Sequence, residues 1–377
     1  MPEDAAGEVS SAEARKEWAG RFDAQSVACH QLGSALYGRL LEIIAGDIRA
    51  DGPSWEVLSG NAGLRFGQAG PLRLVGAAHR MAISGAAPGW ASMLPSCGGT
   101  APTDDSTLRD AWLSLVAAHG DELRAGLGRE VQTNEVGRSA GLGLGLASTG
   151  FATCRLIELG CSGGLNLRLD RFAIDLGELV LGDSESDLRV APDMGGSDMG
   201  GSGAIASAAV AGPDPLLELP MITDRIGIDP HPIDATTEEG RWTLSSFVWP
   251  DQVARFERLT AALRIAGECP ASLVRTDDTV GALADALAVD GARVVQHSIV
   301  WQYIPTAVRW KITATIESAG RNATDESPLA WVRYEPDEWD RSRAAIWLRT
   351  WPGGADRLIA HVDYHGRWLE PIPAANG

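Results

Sequence analysis

The sequence lacks an excess of basic residues. Lys and Arg number 32 against 50 Asp and Glu in 377 residues, which gives a formal net charge of −18 at pH 7. A surface this negative repels nucleic-acid phosphates and anionic lipids. We therefore expect no nucleic acid and no membrane among the partners, and a small molecule as the substrate. The sequence indicates no particular oligomeric state.

Export signals and long apolar segments are also missing. The first residues are acidic and contain no apolar stretch of the kind found in a secretory leader. Residues 81–103 are uncharged, but Pro88, Pro95 and Pro102 interrupt any helix long enough to cross a membrane. We expect a cytoplasmic protein.

Cysteine is scarce, and its spacing excludes two common kinds of site. The 5 cysteines include no C-x-x-C pair, so neither a disulfide framework nor a zinc site is expected. His361 and His365 form H-x-x-x-H, but in a predicted strand four residues span about 13 Å, too far for one ion. The sequence predicts no metal.

The part of the chain before residue 150 has helical periodicity. Residues 108–127 repeat an apolar spacing typical of a helix, and so do residues 24–48, which carry Val27, Leu32, Leu36, Leu40 and Ile44. No segment before Arg129 is typical of a strand. We expect a helical domain over residues 1–150.

After residue 150, apolar strands alternate with helices, a pattern typical of a parallel sheet. Strands are predicted at 154–160, 224–229, 271–278, 292–300 and 329–336, and helices at 250–266, 279–289 and 306–319. The last segments, from residue 345, predict an antiparallel hairpin. We predict an α/β fold over 151–377: a Rossmann-like, doubly wound, mostly parallel sheet that ends in this hairpin.

An insertion over residues 172–220 separates the first strand and its turn from the second strand. It begins with FAIDLGELVLGD, which predicts a small hairpin. It then contains DMGGS at 193–197 and again at 198–202. A Gly/Ser repeat buries little surface, so we expect a surface loop there, with a substrate lid as the alternative.

The clearest motif is RLIELGCSGGLNL, an apolar strand followed by a glycine-rich turn. Glu158 ends the strand, and Gly160 and Gly164 bracket the turn. Glycine lets the backbone approach a ligand, and a helix after the turn would direct its positive end at that ligand. A carboxylate in this place suits a cationic or hydroxyl-bearing ligand.

The same turn also matches G-x-S-x-G, the nucleophile elbow of serine hydrolases, with Ser162 as nucleophile. Asp277 and either His361 or His365 would complete a catalytic triad in the order Ser, Asp, His along the chain. However, an elbow normally follows several strands, whereas Ser162 follows the first predicted strand. The hydrolase is therefore an alternative interpretation.

The turn resembles the first motif of class I S-adenosylmethionine-dependent methyltransferases, [DE]-x-G-x-G-x-G, with Ser162 in place of the middle glycine. The resemblance implies that Glu158, Gly160, Ser162 and Gly164 bind S-adenosylmethionine. It also implies that Asp229, at the end of the second strand, holds the ribose hydroxyls. By the same resemblance, Asp277 or Asp278, at the end of the third strand, lies near the adenine.

The chain is further similar to a bacterial family designated domain of unknown function 2332. The similarity is carried, in this order, by QTNEVGRSA, ELGCSGGLNL, GIDPHPID, FVWPDQVARFERLTAAL and VVQHSIVWQYIP. It extends from about Gln25 to Pro371. The family carries no established substrate, so the similarity implies the fold and adds little about the chemistry.

Two further groups are candidates for the acceptor side of the site. His297, at the end of the fourth strand, is a candidate general base, and Glu135 is the alternative base. The expected substrate-binding residues are Gln132, Asn134, Arg138, Trp301 and Tyr303. Together these features predict methyl transfer from S-adenosylmethionine to an O, N or C nucleophile of a small molecule. The alternatives are a cofactor-binding module without transfer, and the serine hydrolase.

Overall fold

The computed structural model describes residues 11–59, 69–132, 134–195 and 216–372. The chain forms two compact units, residues 1–133 with 242–257 and residues 134–241 with 258–377. These boundaries differ from those of the expected domains 1–150 and 151–377. The reason is that residues 134–150 group with the second unit and residues 242–257 with the first.

The first unit is helical in its described part. A 3-10 turn forms at Pro95–Cys97. The α-helices are α1 (Ser11–Gln31), α2 (Ala35–Arg49), α3 (Pro53–Ser59), α4 (Gly70–Ile83), α5 (Pro88–Ala91) and α6 (Asp105–Gly126). Asp104 caps the start of α6, because its side chain accepts a hydrogen bond from the Thr107 N–H at 2.8 Å.

One helical pattern of the sequence corresponds to two helices, and this corrects the prediction for residues 24–48. Gly33 has a φ of 85°, a left-handed conformation that ends α1. Ser34 then caps α2 by accepting a hydrogen bond from the Tyr37 N–H. As a result Val27 and Leu32 are 55% and 38% exposed, and the expected apolar stripe is buried only at Leu36, Leu40 and Ile44.

Two buried polar side chains of the first unit, Trp112 and His79, have partners inside it. Trp112 is fully buried against Trp90 and donates its indole N–H to Ser54 Oγ at 2.9 Å. His79 is also fully buried, with its Nδ1 3.2 Å from the Ser246 carbonyl oxygen and its Nε2 2.8 Å from Ser96 Oγ. Burial lowers the pKa of His79 to about 4.

The second unit is built on a large sheet and begins with a helix that the sequence analysis did not identify. The helices are α7 (Ser139–Ala147), α8 (Glu238–Ser246), α9 (Val253–Glu268), α10 (Thr279–Leu287) and α11 (Thr306–Arg321), of which α8 and α9 also contain residues of the first unit. The strands of the large sheet are β1 (Thr153–Leu159), β5 (Met221–Asp229), β6 (Ser272–Arg275), β7 (Arg293–Ser298), β8 (Leu329–Pro336), β9 (Ala344–Trp351), β10 (Asp356–Val362) and β11 (Leu369–Pro371).

The order of these strands is β11-β10-β9-β8-β7-β1-β5-β6. Strands β6, β5, β1, β7 and β8 are parallel, whereas β9, β10 and β11 are added as antiparallel neighbours. The predicted fold class, a mostly parallel Rossmann-like sheet with a C-terminal antiparallel hairpin, is confirmed.

Helices cover both faces of the sheet. Ile157 and Leu159 of β1 belong to an apolar cluster with Leu283 of α10 and Ile312 of α11. The other face packs against α7, whose sequence is SAGLGLGLA. A Cβ atom on Gly145 would lie 2.7 Å from Val332 Cγ1, so the glycines of α7 let this helix approach the sheet closely.

The insertion begins with a small second sheet. Strand β2 (Ala173–Asp175) pairs antiparallel with β3 (Val180–Gly182) and parallel with β4 (Arg189–Val190). The predicted hairpin at the start of the insertion is therefore confirmed. The second DMGGS copy, 198–202, lies outside the described residues, so the loop and lid interpretations both stay predictions. No helix in the described part of the chain is long and apolar enough to cross a bilayer.

Candidate functional site

The candidate site lies where parallel strands end. The carboxyl ends of β6, β5, β1 and β7 meet at one edge of the sheet, which we call the carboxyl edge. In open α/β sheets, ligands bind outside the carboxyl ends of the strands. The residues predicted from the glycine motif and from the ends of the second, third and fourth strands all belong to this edge.

The glycine turn, residues 160–164, has three residues in the left-handed region. The φ angles are 65° at Gly160, 50° at Ser162 and 62° at Gly164. A left-handed conformation is uncommon for serine. Asp229, at the end of β5, accepts a hydrogen bond from the Ser162 N–H on Oδ2 at 2.9 Å and another from the His231 N–H on Oδ1 at 2.8 Å. Asp229 therefore anchors the turn.

Side chains of the protein itself explain the glycines of the turn. A Cβ atom on Gly160 would lie 2.3 Å from Val300 Cγ2, and one on Gly164 would lie 2.9 Å from Leu273 Cδ2. Both positions thus require glycine for φ and for space. The packing of the protein therefore accounts for glycine at both positions without a bound ligand.

The helix after the turn corrects a second expectation. It is a seven-residue 3-10 helix, Leu165–Arg171, with a non-helical backbone at Arg168. Such a short element has no substantial dipole to direct at a ligand. Instead, the buried Arg168 guanidinium donates to the carbonyl oxygens of Gly164 at 2.6 Å and Cys269 at 2.9 Å.

Glu158 is the most unusual residue at the carboxyl edge. Its side chain is buried, and Oε2 has no hydrogen-bond partner among the described residues. Burial raises the pKa of Glu158 to about 8; Asp229 raises it further, whereas the nearby Arg168 and Arg138 lower it. The carboxyl group is therefore mostly protonated at pH 7 in the folded chain.

Among the described residues, a second buried side chain with unpartnered polar atoms lies beside Glu158. Gln296 stands directly beside Glu158 in the register of β7 with β1, and it is fully buried. Neither amide atom of Gln296 has a hydrogen-bond partner within the described part of the chain, and the same holds for Ser139 Oγ and Asn166 Oδ1. A buried polar atom without a partner costs about 1–3 kcal/mol, so the neighbouring Glu158 and Gln296 suit a polar ligand or ordered water.

The QTNEVGR run reaches the glycine turn. Asn134 Nδ2 donates to the Cys161 carbonyl oxygen at 3.2 Å, and Asn166 Nδ2 donates to the Glu135 carbonyl oxygen at 3.4 Å. The Glu135 carboxylate is buried and accepts a hydrogen bond from the Gly137 N–H at 3.1 Å. Asn134 and Glu135 thus lie next to the turn.

The other two predicted residues of the run differ in position. Arg138 is buried and donates to the carbonyl oxygens of Tyr364 at 3.0 Å and Ser298 at 3.3 Å. It therefore connects the end of β7 with the turn after β10. Gln132 belongs to the first unit and is half-buried there.

The strand β7 presents its histidine next to the glycine turn. His297 lies opposite Leu159 in the β1–β7 register and is 1% exposed. Its Nδ1 is 2.6 Å from Glu335 Oε1, and its Nε2 has no hydrogen-bond partner among the described residues. The Trp301 ring stacks on the imidazole at a centroid distance of 4.7 Å. Tyr303, in contrast, is 75% exposed.

Asp277 and Asp278 follow β6 at the same edge, and both are exposed. Asp278 caps α10 by accepting a hydrogen bond from the Gly281 N–H at 2.9 Å. The backbone also connects this region with Asp229, because the Thr276 N–H donates to the Asp229 carbonyl oxygen at 3.2 Å. The ends of β5 and β6 are therefore adjacent.

His361, one of the two histidines of the hydrolase alternative, is not brought to Ser162. His361 lies on β10, four strand positions from β1, which corresponds to about 19 Å across the sheet. Its Nδ1 is 3.3 Å from Asp337 Oδ2. Among the described residues, no three His, Cys, Asp or Glu side chains are arranged to hold a metal ion.

A large cavity, about 800 Å³, lies away from the carboxyl edge. Its lining includes Thr223 near the start of β5 and Ser272 at the start of β6, so it opens at the amino ends of these strands. Two lining cations, Arg225 and Arg264, are in ion pairs with Asp170 and Asp187. The carboxyl edge is the better candidate site, because its buried groups include some that are unpartnered among the described residues, whereas these two cations are already paired.

Sequence reasoning missed four residues of the site: Arg168, Asn166, Gln296 and Glu335. Gln296 had a signal, because a polar residue interrupts the apolar strand VVQHSIV, which both faces of the sheet were expected to cover. Glu335 had none, since it comes at the end of a different strand and its pairing with His297 depends on the order of strands.

A comparison with known protein families supports the family similarity predicted from the sequence. The model of a family described as "Uncharacterized protein conserved in bacteria (DUF2332)" matches residues 19–370. No curated protein and no solved structure matches the chain. Because the match covers nearly the whole length, the chain belongs to this bacterial family, domain of unknown function 2332.

Proposed function

We propose that this protein binds S-adenosylmethionine at the carboxyl edge and transfers its methyl group to a small-molecule acceptor. The observation that carries the proposal is Glu158, a buried carboxyl group with an unpartnered oxygen beside a left-handed turn. An ammonium group is the ligand that such a carboxyl favours, because it supplies both charge and hydrogen bonds.

The chemistry of the edge fits a ligand with an amino-acid part and a nucleoside part. Glu158 and Gln296 would hold the amino-acid part. Asp229 would take the ribose hydroxyls, because each carboxylate oxygen accepts one N–H from the described residues and a carboxylate offers about four acceptor sites. The exposed Asp277 and Asp278 border the space for the base. Since Val300 fills the space above Gly160, the fit rests on these polar groups and not on a glycine cradle.

When bound, S-adenosylmethionine supplies a methyl group that is activated by the adjacent sulfonium. The protein aligns this group with the acceptor and excludes water, which is the main contribution expected for a displacement of this kind. His297 Nε2 is the group that would take a proton from the acceptor, with Glu135 as the alternative base. Asn134, Arg138 and Trp301 lie on the acceptor side in this proposal.

The first test is binding, measured by thermal unfolding and calorimetry with S-adenosylmethionine and its demethylated product. At about 100 times its dissociation constant, a ligand that binds only the folded state adds about 2.7 kcal/mol of stability. Glu158→Gln and Asp229→Asn should each weaken binding about tenfold or more, because each removes a charged hydrogen-bond acceptor. The matched control is Asp325→Asn, an exposed acid before β8, which should bind as the wild type does.

The second test is turnover, measured as transfer of a labelled methyl group to a set of small-molecule acceptors. Transfer that requires both Glu158 and the bound cofactor supports the whole proposal. Binding without transfer to any acceptor would reduce the protein to a cofactor-binding module. Unchanged thermal unfolding at millimolar cofactor, or equal binding by the Asp229→Asn variant, would overturn the proposal.

A further inference from the structure

Glu335 makes an unusual set of hydrogen bonds at the end of β8. One oxygen, Oε1, lies 2.6 Å from His297 Nδ1 and accepts hydrogen bonds from the backbone N–H groups of Val300 and Trp301, each at 3.2 Å. Both side chains are shielded from solvent, with exposed fractions of 2% for His297 and 14% for Glu335. A single carboxylate oxygen thus holds both the imidazole and the segment that follows β7.

The ring of His297 has little freedom to turn away from this carboxylate. Trp301 stacks on one side with an interplanar angle of 13°, and Trp331 contacts the ring at a centroid distance of 5.9 Å. The backbone nearby is also constrained, because Ile299 has a φ of 51°. A β-branched residue adopts this left-handed conformation only when its surroundings enforce it.

The hydrogen-bond pattern determines where the imidazole carries its proton. Glu335 Oε1 accepts two backbone N–H groups, so its lone pairs are directed at donors and the oxygen does not itself carry a proton. The proton between Oε1 and Nδ1 therefore belongs to His297. In the neutral ring, Nε2 is then the bare acceptor nitrogen, and this is the buried atom without a partner among the described residues.

We propose that Glu335 is a positioning residue, which fixes His297 in the Nδ1–H tautomer and directs Nε2 toward the acceptor. The same carboxylate holds residues 300 and 301, and Val300 is the side chain that closes the space above Gly160. The use of Nε2 as a base rests on the proposed methyl transfer. The tautomer does not, and it is tested on the protein alone.

The test is ¹⁵N nuclear magnetic resonance of protein labelled at its 7 histidines, with His297 assigned from a His297→Asn spectrum. At pH 9, where a histidine side chain is ordinarily neutral, we expect His297 to show a protonated Nδ1 and a bare Nε2. Glu335→Gln should lower the ratio of this tautomer to the other about fivefold, because a hydrogen bond to a charged acceptor becomes a neutral one. Glu335→Leu should remove the preference, and Glu338→Gln, an exposed glutamate nearby, should leave it unchanged.

The outcome separates this inference from the proposed function. A wild-type His297 with its proton on Nε2, or an unchanged tautomer ratio in the Glu335→Gln variant, would overturn the inference whether or not the protein methylates anything. If methyl transfer is observed, Glu335→Gln should lower kcat while the Kd for S-adenosylmethionine stays within about twofold. An equal loss of affinity and kcat would show a merely structural role.

Discussion

The two units differ in which of their buried polar atoms lack a partner. In the helical unit, the buried His79 has partners at both ring nitrogens, and the buried Trp112 donates to Ser54. At the carboxyl edge of the sheet unit, Glu158, Gln296 and His297 each keep an atom without a partner among the described residues. Among the described residues, buried side-chain oxygens without a partner occur only in the sheet unit, whereas the helical unit leaves nitrogen atoms such as Trp90 Nε1 without one.

This difference indicates what each set of polar groups contributes. A partnered buried group adds about 1 kcal/mol to stability, whereas an unpartnered one costs about 1–3 kcal/mol. The hydrogen bonds of His79 and Trp112 therefore support the fold of the helical unit. Those of the carboxyl edge lower stability, and such groups concentrate where a protein binds a ligand or performs chemistry.

The pKa shifts of the two units also have opposite consequences for stability. Burial lowers the pKa of His79 to about 4, so between pH 4 and 6.5 the unfolded state binds more protons than the folded state. Stability then falls as the pH falls. Burial raises the pKa of Glu158 to about 8, so between pH 4.5 and 8 the folded state binds more protons, and stability falls as the pH rises.

The largest effect should come from the core of the helical unit. Trp112→Ala removes a fully buried ring and the hydrogen bond to Ser54, so it should cost about 4 kcal/mol of unfolding free energy, measured by urea denaturation. Trp339→Ala, at a position that is 78% exposed, is the control and should change stability by less than about 0.5 kcal/mol. A loss below about 1 kcal/mol for Trp112→Ala would show that this core is not close-packed.

Substitutions of two glycines with positive φ, Gly33 in the helical unit and Gly160 in the sheet unit, should give the next largest effects. Gly33→Ala, where no atom lies near the added Cβ, should cost about 1 kcal/mol from backbone strain alone. Gly160→Ala adds a clash with Val300 and should cost about 3 kcal/mol. Val300→Ala in the same chain should recover the difference between the two glycines. Equal losses at both glycines would contradict the packing described for the turn.

The carboxyl of Glu158 should give the sheet unit its own pH dependence. Raising the pH from 5 to 7 should cost the wild type about 2.5 kcal/mol relative to Glu158→Gln, because only the wild type must keep a proton that the unfolded state releases. Hydrogen exchange of β1 and β7 at the two pH values measures this difference. Parallel pH curves for the two proteins would mean that Glu158 titrates as an ordinary carboxyl.

His79 should produce the opposite and slightly smaller effect in the helical unit. Lowering the pH from 7 to 5 should reduce the stability of α4 by about 2 kcal/mol relative to His79→Gln, since the unfolded histidine gains a proton that the buried ring does not. Hydrogen exchange of α4 is the measurement. If the stability of α4 instead fell as the pH rose, as expected for the Glu158 carboxyl, the two units would not differ in the sign of their pH dependence.

Much of the fold could be predicted from the sequence, because apolar runs mark strands that are covered on both faces. Strand β8, Leu329–Pro336, coincides with the predicted 329–336. Helix α7 could not be identified, since glycine is a poor helix former and the helix exists through its packing on β8 and β9. The break at Gly33 was missed because the apolar spacing continues across it.

Site residues could be predicted only where they belong to a motif within one continuous segment of the sequence. Glu158 and the glycine turn stand in a single motif, and Asp229 was reached through the next strand. Gln296 and Glu335 matter because β7 lies between β1 and β8, and strand order is a property of the whole sheet. The return of residues 242–257 to the first unit likewise depends on tertiary contacts that no local pattern indicates.

The most direct test of the central claim counts the protons released when S-adenosylmethionine binds. A carboxyl group with a pKa of about 8 is about 90% protonated at pH 7, and it loses this proton when an ammonium group pairs with it. Calorimetry at pH 7 in two buffers of different ionisation enthalpy should therefore show release of about one proton by the wild type, and of almost none by Glu158→Gln. Absence of binding, or equal proton release by both proteins, would contradict the assignment of Glu158 as the centre of the site.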